Sequence, residues 1–511
     1  IPSGYKDGTL YSVLPNNAGG DFDVTRGSLA TRVNKNGFIE PVGTLGADVV
    51  LNGDFEEVGA DQILNGDFSQ GSQDWILANN VGSSTNISGG SLNIVTDGVF
   101  TQASQDNVIT VGKNYLLKYT VLSSDNGSLG LELGGSTAII PSSVGEHQHY
   151  FVSQNTALSI KRASGALNVS ITNITVEEVG QDWILTDGCS ITAQGARISS
   201  DGTLQRILQT NALVIGDTYE MEYEITESVS GSLSVTDSFS GVTLKNTVGI
   251  HKIYAVAADT TLQVKRNSGV TDVTIDNIII KRLSGDDTPR IDYTDGGCPV
   301  LLTEPQSTNL ITNSNNFNST SWLKEGGATV ESNIGSSPDG SINASYVKTP
   351  AGTEITPRVA YTFSSVAGES YIGSIFMKKD NIDWIRVLST GATVSTTDAY
   401  YNISNGSLGI SSSPSISTIE DYGNGWYRLG LEIVAVNAAS ATFRIQMAGG
   451  DGSSVITTDG TEKFLLYGGQ IEELSYATSY IPTYGAVRTR LQDSVSGAGT
   501  SSDFNSEEGV L

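Results

Sequence analysis

The sequence predicts an all-β protein built from tandem β-sandwich domains. Three observations support this prediction: the composition, a two-residue alternation of apolar side chains, and an internal repeat. The 511 residues include 58 Gly but only 3 Met. Ser, Thr, Asn and Asp are abundant, whereas the helix formers Lys, Arg and Glu are sparse. At about 150 residues per domain, a chain of this length forms three or four domains.

The alternation is clearest in short segments that are separated by turn sequences. Tyr115, Leu117 and Tyr119 occupy every second position, and Asn126-Gly127 and Ser164-Gly165 mark turns. Successive side chains of a strand point to opposite faces of its sheet. Several short strands with turns every ~8–12 residues are typical of a β-sandwich, here of the jelly-roll kind.

The repeat joins two stretches of the chain at a constant offset. Residues 111–119 align with residues 215–223 at an offset of 104, and His147 aligns with His251 in the same way. Upstream, the sequence of residues 73–77 recurs at residues 181–185. Self-similarity at a fixed period indicates a duplicated structural unit. We therefore predict two jelly-roll domains of one fold, repeat one at 48–179 and repeat two at 180–286.

A larger unit follows at 309–483. It begins with Asn313–Phe317 and Trp322, which echo Asn65–Phe68 and Trp75 in repeat one. We predict a third sandwich of the same general plan.

The charge and the cysteines exclude several classes of function. A formal net charge of −27 repels phosphate backbones and anionic lipid, so we expect neither nucleic-acid binding nor membrane insertion. No apolar run approaches the ~20 residues of a membrane span, and the start shows no signal peptide. Cys189 and Cys298 form neither a disulfide framework nor a metal-binding spacing, and we expect free thiols.

Two separated segments carry a family resemblance. Residues 3–12 and 30–40 resemble the N-terminal segment of phage tail-fibre-like virion structural proteins, in which a stretch such as Pro289–Tyr293 normally follows directly. The resemblance implies a small N-terminal platform at 1–47 that continues at 287–308. The two repeats would then be an insertion into this platform.

The remaining segments resemble carbohydrate-binding-module-like sandwiches. In the third unit the matching words are Gly423–Arg428, Gly468–Glu472 and Ala477–Thr483. The end, Phe504–Leu511, resembles the first strand of a laminin-G-like domain, so 484–511 is predicted to be a linker and the start of a truncated further domain.

The resemblance implies a bacteriophage virion appendage, a tail fibre or receptor-binding protein, that recognises host cell-surface glycans. It also implies a homotrimer, contacts with other virion proteins and a place on the surface of the virion. Two alternatives remain open: a virion structural or decoration protein with no ligand, and a bacterial surface adhesin.

The sequence offers little for catalysis. It has 3 His, no Gly-x-Ser-x-Gly turn before a helix and no phosphate-binding loop. Glycoside hydrolysis needs only two carboxylates, and 55 acidic residues leave a polysaccharide-degrading tailspike open. We predict a protein that is not an enzyme.

Sugar binding requires exposed aromatic rings beside hydrogen-bonding side chains. Tyr400 and Tyr401 are adjacent, so a strand must point one of them outward. With Trp384, they form the predicted glycan-binding set. The other tryptophans are predicted to be core residues, namely Trp75, Trp183, Trp322 and Trp426.

Two kinds of metal site are considered, one at histidines and one at aspartates. His147 and His149 would share one face of a strand, either as a metal pair or, for His147, as a histidine bonded to a loop carbonyl. The jelly-roll resemblance implies structural calcium at Asp67 and Asp276, since calcium prefers oxygen ligands. Repeat one has Thr172 where repeat two has Asp276, and repeat two shows no Asn-Gly-Asp-Phe of its own.

Three arginines of the predicted platform are conspicuous in so acidic a chain. Arg26, Arg32 and Arg290 are predicted either to pair with carboxylates of another subunit or to lie solvated on the surface.

Overall fold

The computed structural model confirms an all-β architecture. It describes residues 2–6, 9–12, 23–239, 242–285, 287–294, 299–391, 397–412 and 416–496. Within these residues the secondary structure consists of strands and turns, and no α-helix is present. Cys189 is buried and free, whereas Cys298 lies outside the described residues.

Five short strands open the described chain, within the segment predicted as the platform. They are β1 (Pro2–Lys6), β2 (Thr9–Ser12), β3 (Asp23–Thr25), β4 (Ala30–Val33) and β5 (Ile39–Val42). The antiparallel hairpin of β4 and β5 packs on the third sandwich, where the Ile39 amide donates to the Pro338 carbonyl at 2.9 Å.

Repeat one is a sandwich of two antiparallel sheets. After β6 (Thr44–Asp48), its strands are β7 (Val58–Asp61), β8 (Ile76–Asn79), β9 (Ser83–Ser88), β10 (Ser91–Thr96), β11 (Thr101–Gln105), β12 (Asn114–Asp125), β13 (Ser128–Leu133), β14 (Ser136–Ile140), β15 (Gly145–Val152), β16 (Leu158–Ser164) and β17 (Leu167–Val179). One sheet has the order β15-β12-β17-β10-β9, with β7 also paired to β17, and the other has the order β14-β13-β16-β11-β8. The apolar faces of the two sheets enclose a single core.

Repeat two follows the same plan. Its strands are β18 (Ile184–Leu185), β19 (Cys189–Thr192), β20 (Gly195–Ser200), β21 (Arg206–Gln209), β22 (Thr218–Ser230), β23 (Leu233–Ser234), β24 (Gly249–Val256), β25 (Leu262–Arg266) and β26 (Thr271–Ser284). The sheets are β19-β20-β26-β22-β24 and β18-β21-β25-β23. The bulge between Lys118 and Thr120 in repeat one recurs between Glu222 and Glu224. The duplication therefore extends to irregularities of the backbone.

The boundary predicted between the platform and repeat one is wrong. Strand β6 pairs with β26 of repeat two, and Val50 and Phe55 lie in the core of repeat two. The first strand of repeat two thus precedes repeat one in the chain. Repeat one, from Val58 to Val179, is inserted into repeat two after its first strand.

The third sandwich and the last platform strands complete the fold. These platform strands are β27 (Ile291–Asp292), β28 (Val300–Leu301), β29 (Ser307–Asn309), β44 (Arg488–Arg490) and β45 (Ser494–Ser496). The strands of the third sandwich are β30 (Trp322–Glu325), β31 (Thr329–Ser336), β32 (Ile342–Lys348), β33 (Ala351–Ile355), β34 (Arg358–Ser365), β35 (Ser370–Lys379), β36 (Trp384–Thr390), β37 (Thr397–Asn402), β38 (Ser407–Ser411), β39 (Ser417–Asp421), β40 (Trp426–Val434), β41 (Ala439–Ala448), β42 (Ile456–Asp459) and β43 (Lys463–Glu472). Its two sheets have the orders β30-β34-β41-β36-β37-β38 and β31-β32-β43-β35-β40-β39.

The segment predicted as a C-terminal linker belongs in part to the platform. Strand β44 pairs with β29, and β45 pairs with β3 near the start of the chain. These pairings join residues 488–496 to β3 and β29 of the platform. The predicted start of a further domain, Phe504–Leu511, lies outside the described residues.

Charged side chains, buried within this one chain, hold the platform together. Arg26 binds Asp493 at 2.9 Å, Arg290 binds both Asp493 and Glu304, and Arg490 binds Glu304 at 2.7 Å. The side chains of Arg26 and Arg290 are 0% exposed. Both interpretations offered for these two arginines are therefore wrong, because their partners lie in the same chain and solvent does not reach them. Arg32 is different, since it lies near the surface and pairs with Glu40 at 2.8 Å.

Candidate glycan-binding site

Four of the five tryptophans are core residues, as the sequence predicted. Each is at most 6% exposed. In three of them the indole nitrogen donates to a backbone carbonyl, from Trp75 to Asn65, from Trp183 to Asn52 and from Trp322 to Asn313. A buried indole that both packs and finds an acceptor anchors a core and is not available to a sugar.

Neither Tyr400 nor Tyr401 is the exposed aromatic ring that the sequence predicted. Tyr401 is 0% exposed, and its hydroxyl donates to the Gly430 carbonyl at 2.5 Å across the core. Tyr400 points to the opposite face of β37, as alternation requires, yet it is only 5% exposed. The guanidinium of Arg386 lies over its ring, 5.7 Å from the centroid, and covers it. Neither ring presents a bare face to solvent.

Trp384 is half-buried and lies on the same outer face as Tyr400. A Cβ at Gly409 would collide with the indole of Trp384 and with Asp451. The absence of a side chain at Gly409 therefore lets the indole lie against β38. Of the three predicted aromatic residues, Trp384 is the one that solvent reaches.

The strand register places polar side chains beside these rings. Directly paired positions run across five strands as Glu325, Arg358, Gln446, Arg386 and Tyr400. We call the surface formed by this row and its neighbours the outer face; the neighbours are Trp384, Asp398 and Arg444.

Ion pairs order the outer face. Arg386 binds Asp398 at 2.6 Å, and Glu325 accepts hydrogen bonds from Arg358 at 2.5 Å and Arg444 at 3.3 Å. Burial alone would raise the pKa of Glu325, but the hydrogen bond and charge of Arg358 lower it overall. The carboxylate is thus held ionised. Fixed planar groups beside a half-exposed indole can receive a sugar ring and its hydroxyls.

The polar members of this face were not predicted from the sequence, although strand alternation would have placed two of them beside the aromatic rings. Arg386 lies two residues after Trp384, and Asp398 lies two residues before Tyr400. Positions two apart share a face of a strand. Gln446 and Glu325 could not be found in this way, because only the pairing of distant strands brings them to the row.

The histidine that recurs in both repeats has a structural role in each. His147 Nε2 lies 2.6 Å from the Ser143 carbonyl, and His251 Nε2 lies 2.5 Å from the Thr247 carbonyl. The ring of His147 also packs against Tyr119. The prediction of a histidine bonded to a loop carbonyl is confirmed.

The two predicted calcium positions differ. Asp67 is exposed, and its carboxylate already accepts hydrogen bonds from the amide and hydroxyl of Ser69. These hydrogen bonds lower the pKa of Asp67. Thr172, which replaces the second aspartate, donates to the Gly90 carbonyl. This donor set does not fit a calcium ion.

Repeat two is richer in carboxylates than the sequence suggested, because its Asn-Gly-Asp-Phe is Asn52–Phe55. Burial, followed by the charges of Glu224, Asp54 and Glu56, raises the pKa of Asp276 to about 6. Still, no group of three or more His, Cys, Asp or Glu in the described part of the chain is arranged to hold a metal. Calcium thus stays a prediction for repeat two alone.

In the described residues we find no helix with the length and hydropathy needed to cross a membrane.

Comparisons with known proteins give only weak matches. The sequence matches no family model and no curated protein. Among solved structures, the carbohydrate-binding module TmCBM27, described for specific mannan recognition, is 12% identical, covers 34% of this chain and 98% of its own, and has a TM-score of 0.21. The CBM22-1-CBM22-2 tandem of Paenibacillus barcinonensis Xyn10C is 12% identical, with coverages of 58% and 94% and a TM-score of 0.21. The structure of Sulfolobus Turreted Icosahedral Virus matches at 12% identity, with coverages of 78% and 91% and a TM-score of 0.17. At such TM-scores these likenesses carry no argument about this chain.

Proposed function

We propose that this chain is a non-enzymatic glycan-binding protein that attaches to host cell-surface glycans through the outer face of the third sandwich. One observation carries the proposal. The partly exposed indole of Trp384 lies on the same sheet face as the ion pair of Arg386 and Asp398. This combination of an apolar ring with fixed planar donors and acceptors suits a sugar better than an anion or a peptide.

We further propose that the protein belongs to a bacteriophage virion appendage, as a tail fibre or receptor-binding protein at the virion surface. The sequence words of the platform support this. The buried ion pairs of Arg26, Arg290 and Arg490 would also suit a base that docks against other virion proteins while the sandwiches project from it. Assembly as a homotrimer would multiply a weak sugar contact by avidity.

The test is a glycan array probed with the whole chain and with two variants. Trp384→Ala should lower the signal for the bound glycan class about five- to 150-fold, if stacking of a sugar on the indole is comparable to the stacking of a base on an aromatic ring, which contributes on the order of 1–3 kcal/mol. Phe100→Ala is the matched control, because Phe100 is an exposed aromatic residue of repeat one, 43% exposed.

Two outcomes would count against the proposal. One is folded wild-type protein that binds no glycan on the array, which would favour a structural protein without a ligand. The other is a signal that Trp384→Ala and Phe100→Ala leave equally unchanged. Loss of polymer on incubation with a bacterial polysaccharide would contradict the non-enzymatic part.

A further inference from the structure

A cavity far larger than a water site lies between repeat two and the third sandwich. Its volume is about 430 Å³, within the range of small-ligand pockets. We call it the junction groove; its lining includes Tyr254 from repeat two and Asn313, Asn333, Asp339, Asn343 and Tyr484 from the other side.

The groove is rich in side-chain amides, and one buried amide oxygen has no hydrogen-bond donor. Asn343 is 7% exposed, and its Oδ1 has no hydrogen-bond donor among the described residues. The side chains of Asn316 and Asn333 likewise make no hydrogen bond within the described part of the chain. A buried amide oxygen without a donor costs about 1–3 kcal/mol, which a ligand hydroxyl would recover.

The neighbouring carboxylate fixes the orientation of that amide. Asp339 Oδ2 accepts hydrogen bonds from Asn343 Nδ2 and the Tyr467 hydroxyl, each at 2.9 Å. Its Oδ1 accepts from the Ser337 hydroxyl at 2.6 Å and the Ser341 amide at 2.8 Å. Because Asn343 must turn its NH₂ toward Asp339, its Oδ1 is left as the acceptor. The groove is thus preorganised for a donor such as a sugar hydroxyl.

Aromatic surface continues the groove at one end. A smaller cavity of about 220 Å³ shares Tyr254, Asp339 and Tyr484 with it and adds Tyr467 and Tyr480. Burial raises the pKa of Tyr484 to about 12, so this phenol is neutral at physiological pH. Amides at one end and neutral phenols at the other suit an elongated ligand with polar edges and apolar faces.

The charge of the groove selects among such ligands. Among its described lining residues Asp339 is the one charged group, and Lys, Arg and His are absent. Within the junction groove itself an anionic ligand would lie beside this carboxylate without a cation to balance it, since Arg488 lines the smaller cavity instead. An uncharged ligand avoids this repulsion and can still donate hydrogen bonds to the amide oxygens and to Asp339.

We propose that the junction groove is a second binding site, specific for an uncharged oligosaccharide, and separate from the outer face. The two sites lie on different surfaces of the third sandwich, so each can hold or fail independently. Together they would let one chain engage two points of a glycan polymer, which raises the apparent affinity without a new contact.

Saturation-transfer NMR on the whole chain tests the proposal. The probes are neutral trisaccharides (maltotriose, cellotriose, mannotriose and chitotriose) and, as anionic counterparts, sialyllactose and trigalacturonate. The variants Asn343→Leu and Asn316→Ala should each weaken binding of the neutral probe, the former about tenfold. The groove variants are made in the Trp384→Ala background, so that the outer face does not contribute to the signal, and Asn86→Ala on repeat one is the matched control that should leave the signal intact.

The outcomes separate cleanly. Transfer to a neutral trisaccharide that survives Trp384→Ala but falls in the groove variants supports the second site. If Asn343→Leu lowers the melting temperature, Asn316→Ala decides, because its side chain is exposed. The proposal is overturned if none of the neutral probes shows transfer, if both groove variants bind as the wild type does, or if the anionic probes bind equally well in the same groove.

Discussion

The indole Nε1 of Trp183 donates a 3.0 Å hydrogen bond to the carbonyl oxygen of Asn52, 131 residues earlier in the chain. In repeat one the equivalent bond joins Trp75 to Asn65 across only 10 residues, at 3.1 Å. The rings that accompany them match as well, with Phe55 5.2 Å from Trp183 and Phe68 5.3 Å from Trp75. The same arrangement of Trp, Asn and Phe is therefore formed in repeat one by residues close in sequence, and in repeat two by residues on either side of the inserted repeat one.

The insertion is possible because the two ends of repeat one lie together. Val58 pairs with Val179 in the same sheet. A domain whose termini are adjacent can enter a loop of another domain without separating the flanking segments. Leu116 and Val179 of repeat one also pack into the core of repeat two, so the inserted domain is in direct contact with the domain that receives it.

Gly53→Ala tests the nested arrangement. A Cβ at Gly53 would overlap the carbonyl oxygen of Ile278, so we expect a loss of about 1–3 kcal/mol in stability. Hydrogen exchange should accelerate in β22 and β26 of repeat two and not in β12 of repeat one. Gly450→Ala, where a Cβ would meet nothing within 4 Å, should be neutral. Faster exchange confined to repeat one would contradict the nesting.

Asp493→Ala tests the buried ion pairs of the platform. It leaves Arg26 and Arg290 buried with a partner removed, and a broken buried pair costs about 3–5 kcal/mol. Chemical denaturation followed by circular dichroism measures the change. Asp272→Ala breaks the more exposed pair with Arg197 and should cost less than about 1 kcal/mol. Equal losses in the free energy of unfolding for the two variants would contradict the expectation that a buried ion pair costs more to break than an exposed one.

Asp276→Asn should stabilise repeat two in a pH-dependent way. Burial first, and then Glu224 and other carboxylates, raise the pKa of Asp276 from 3.8 to about 6. A carboxyl with a raised folded pKa contributes most stability below pH 3.8 and loses it as pH rises through 6. The melting-temperature gain of the variant should therefore be largest above about pH 7 and vanish near pH 4. Asp67→Asn in repeat one is the control, since the pKa of Asp67 is lowered, and a gain of the same sign there would be evidence against this cause.

Calcium should stabilise repeat two and leave repeat one unchanged. A cation would neutralise the carboxylates around Asp276, and at an affinity of about 0.1–1 mM, common for extracellular modules, an addition of about 10 mM should raise the melting temperature by a few degrees. Asp276→Asn should abolish the rise and Asp67→Asn should keep it. Magnesium at the same concentration controls for ionic strength. If calcium does not raise the melting temperature, the prediction of a structural calcium ion is wrong.

Tyr401→Phe separates a core role from a binding role. The variant loses a buried hydrogen bond to Gly430 and should cost about 0.5–1.5 kcal/mol in stability without changing glycan binding. Tyr400→Phe, whose ring lies under Arg386, is the matched partner on the opposite face of the strand. A selective loss of glycan binding in Tyr401→Phe, with unchanged stability, would contradict the core assignment.

The sequence by itself determined the class of fold, the duplication and the core tryptophans. Alternation assigns a residue to one of two faces, and repeated words such as the one at Trp75 and Trp183 show which positions share an environment. It also determined the role of His147, because its repeated context pointed to a loop carbonyl. These properties depend on neighbours along the chain, and such neighbours are visible in the sequence.

Only the tertiary structure decided where residues 49–57 belong, how deeply Arg26 and Arg290 are buried, and which aromatic ring solvent reaches. Each of these depends on segments that are distant in sequence. Strand alternation required one of Tyr400 and Tyr401 to point outward, but it could not show which one, nor that Arg386 covers the ring of Tyr400. Likewise the junction groove exists only because repeat two and the third sandwich approach each other around Asn343. The pairing of sheet edges and the packing of domains come from long-range closure, for which a single sequence carries no local pattern.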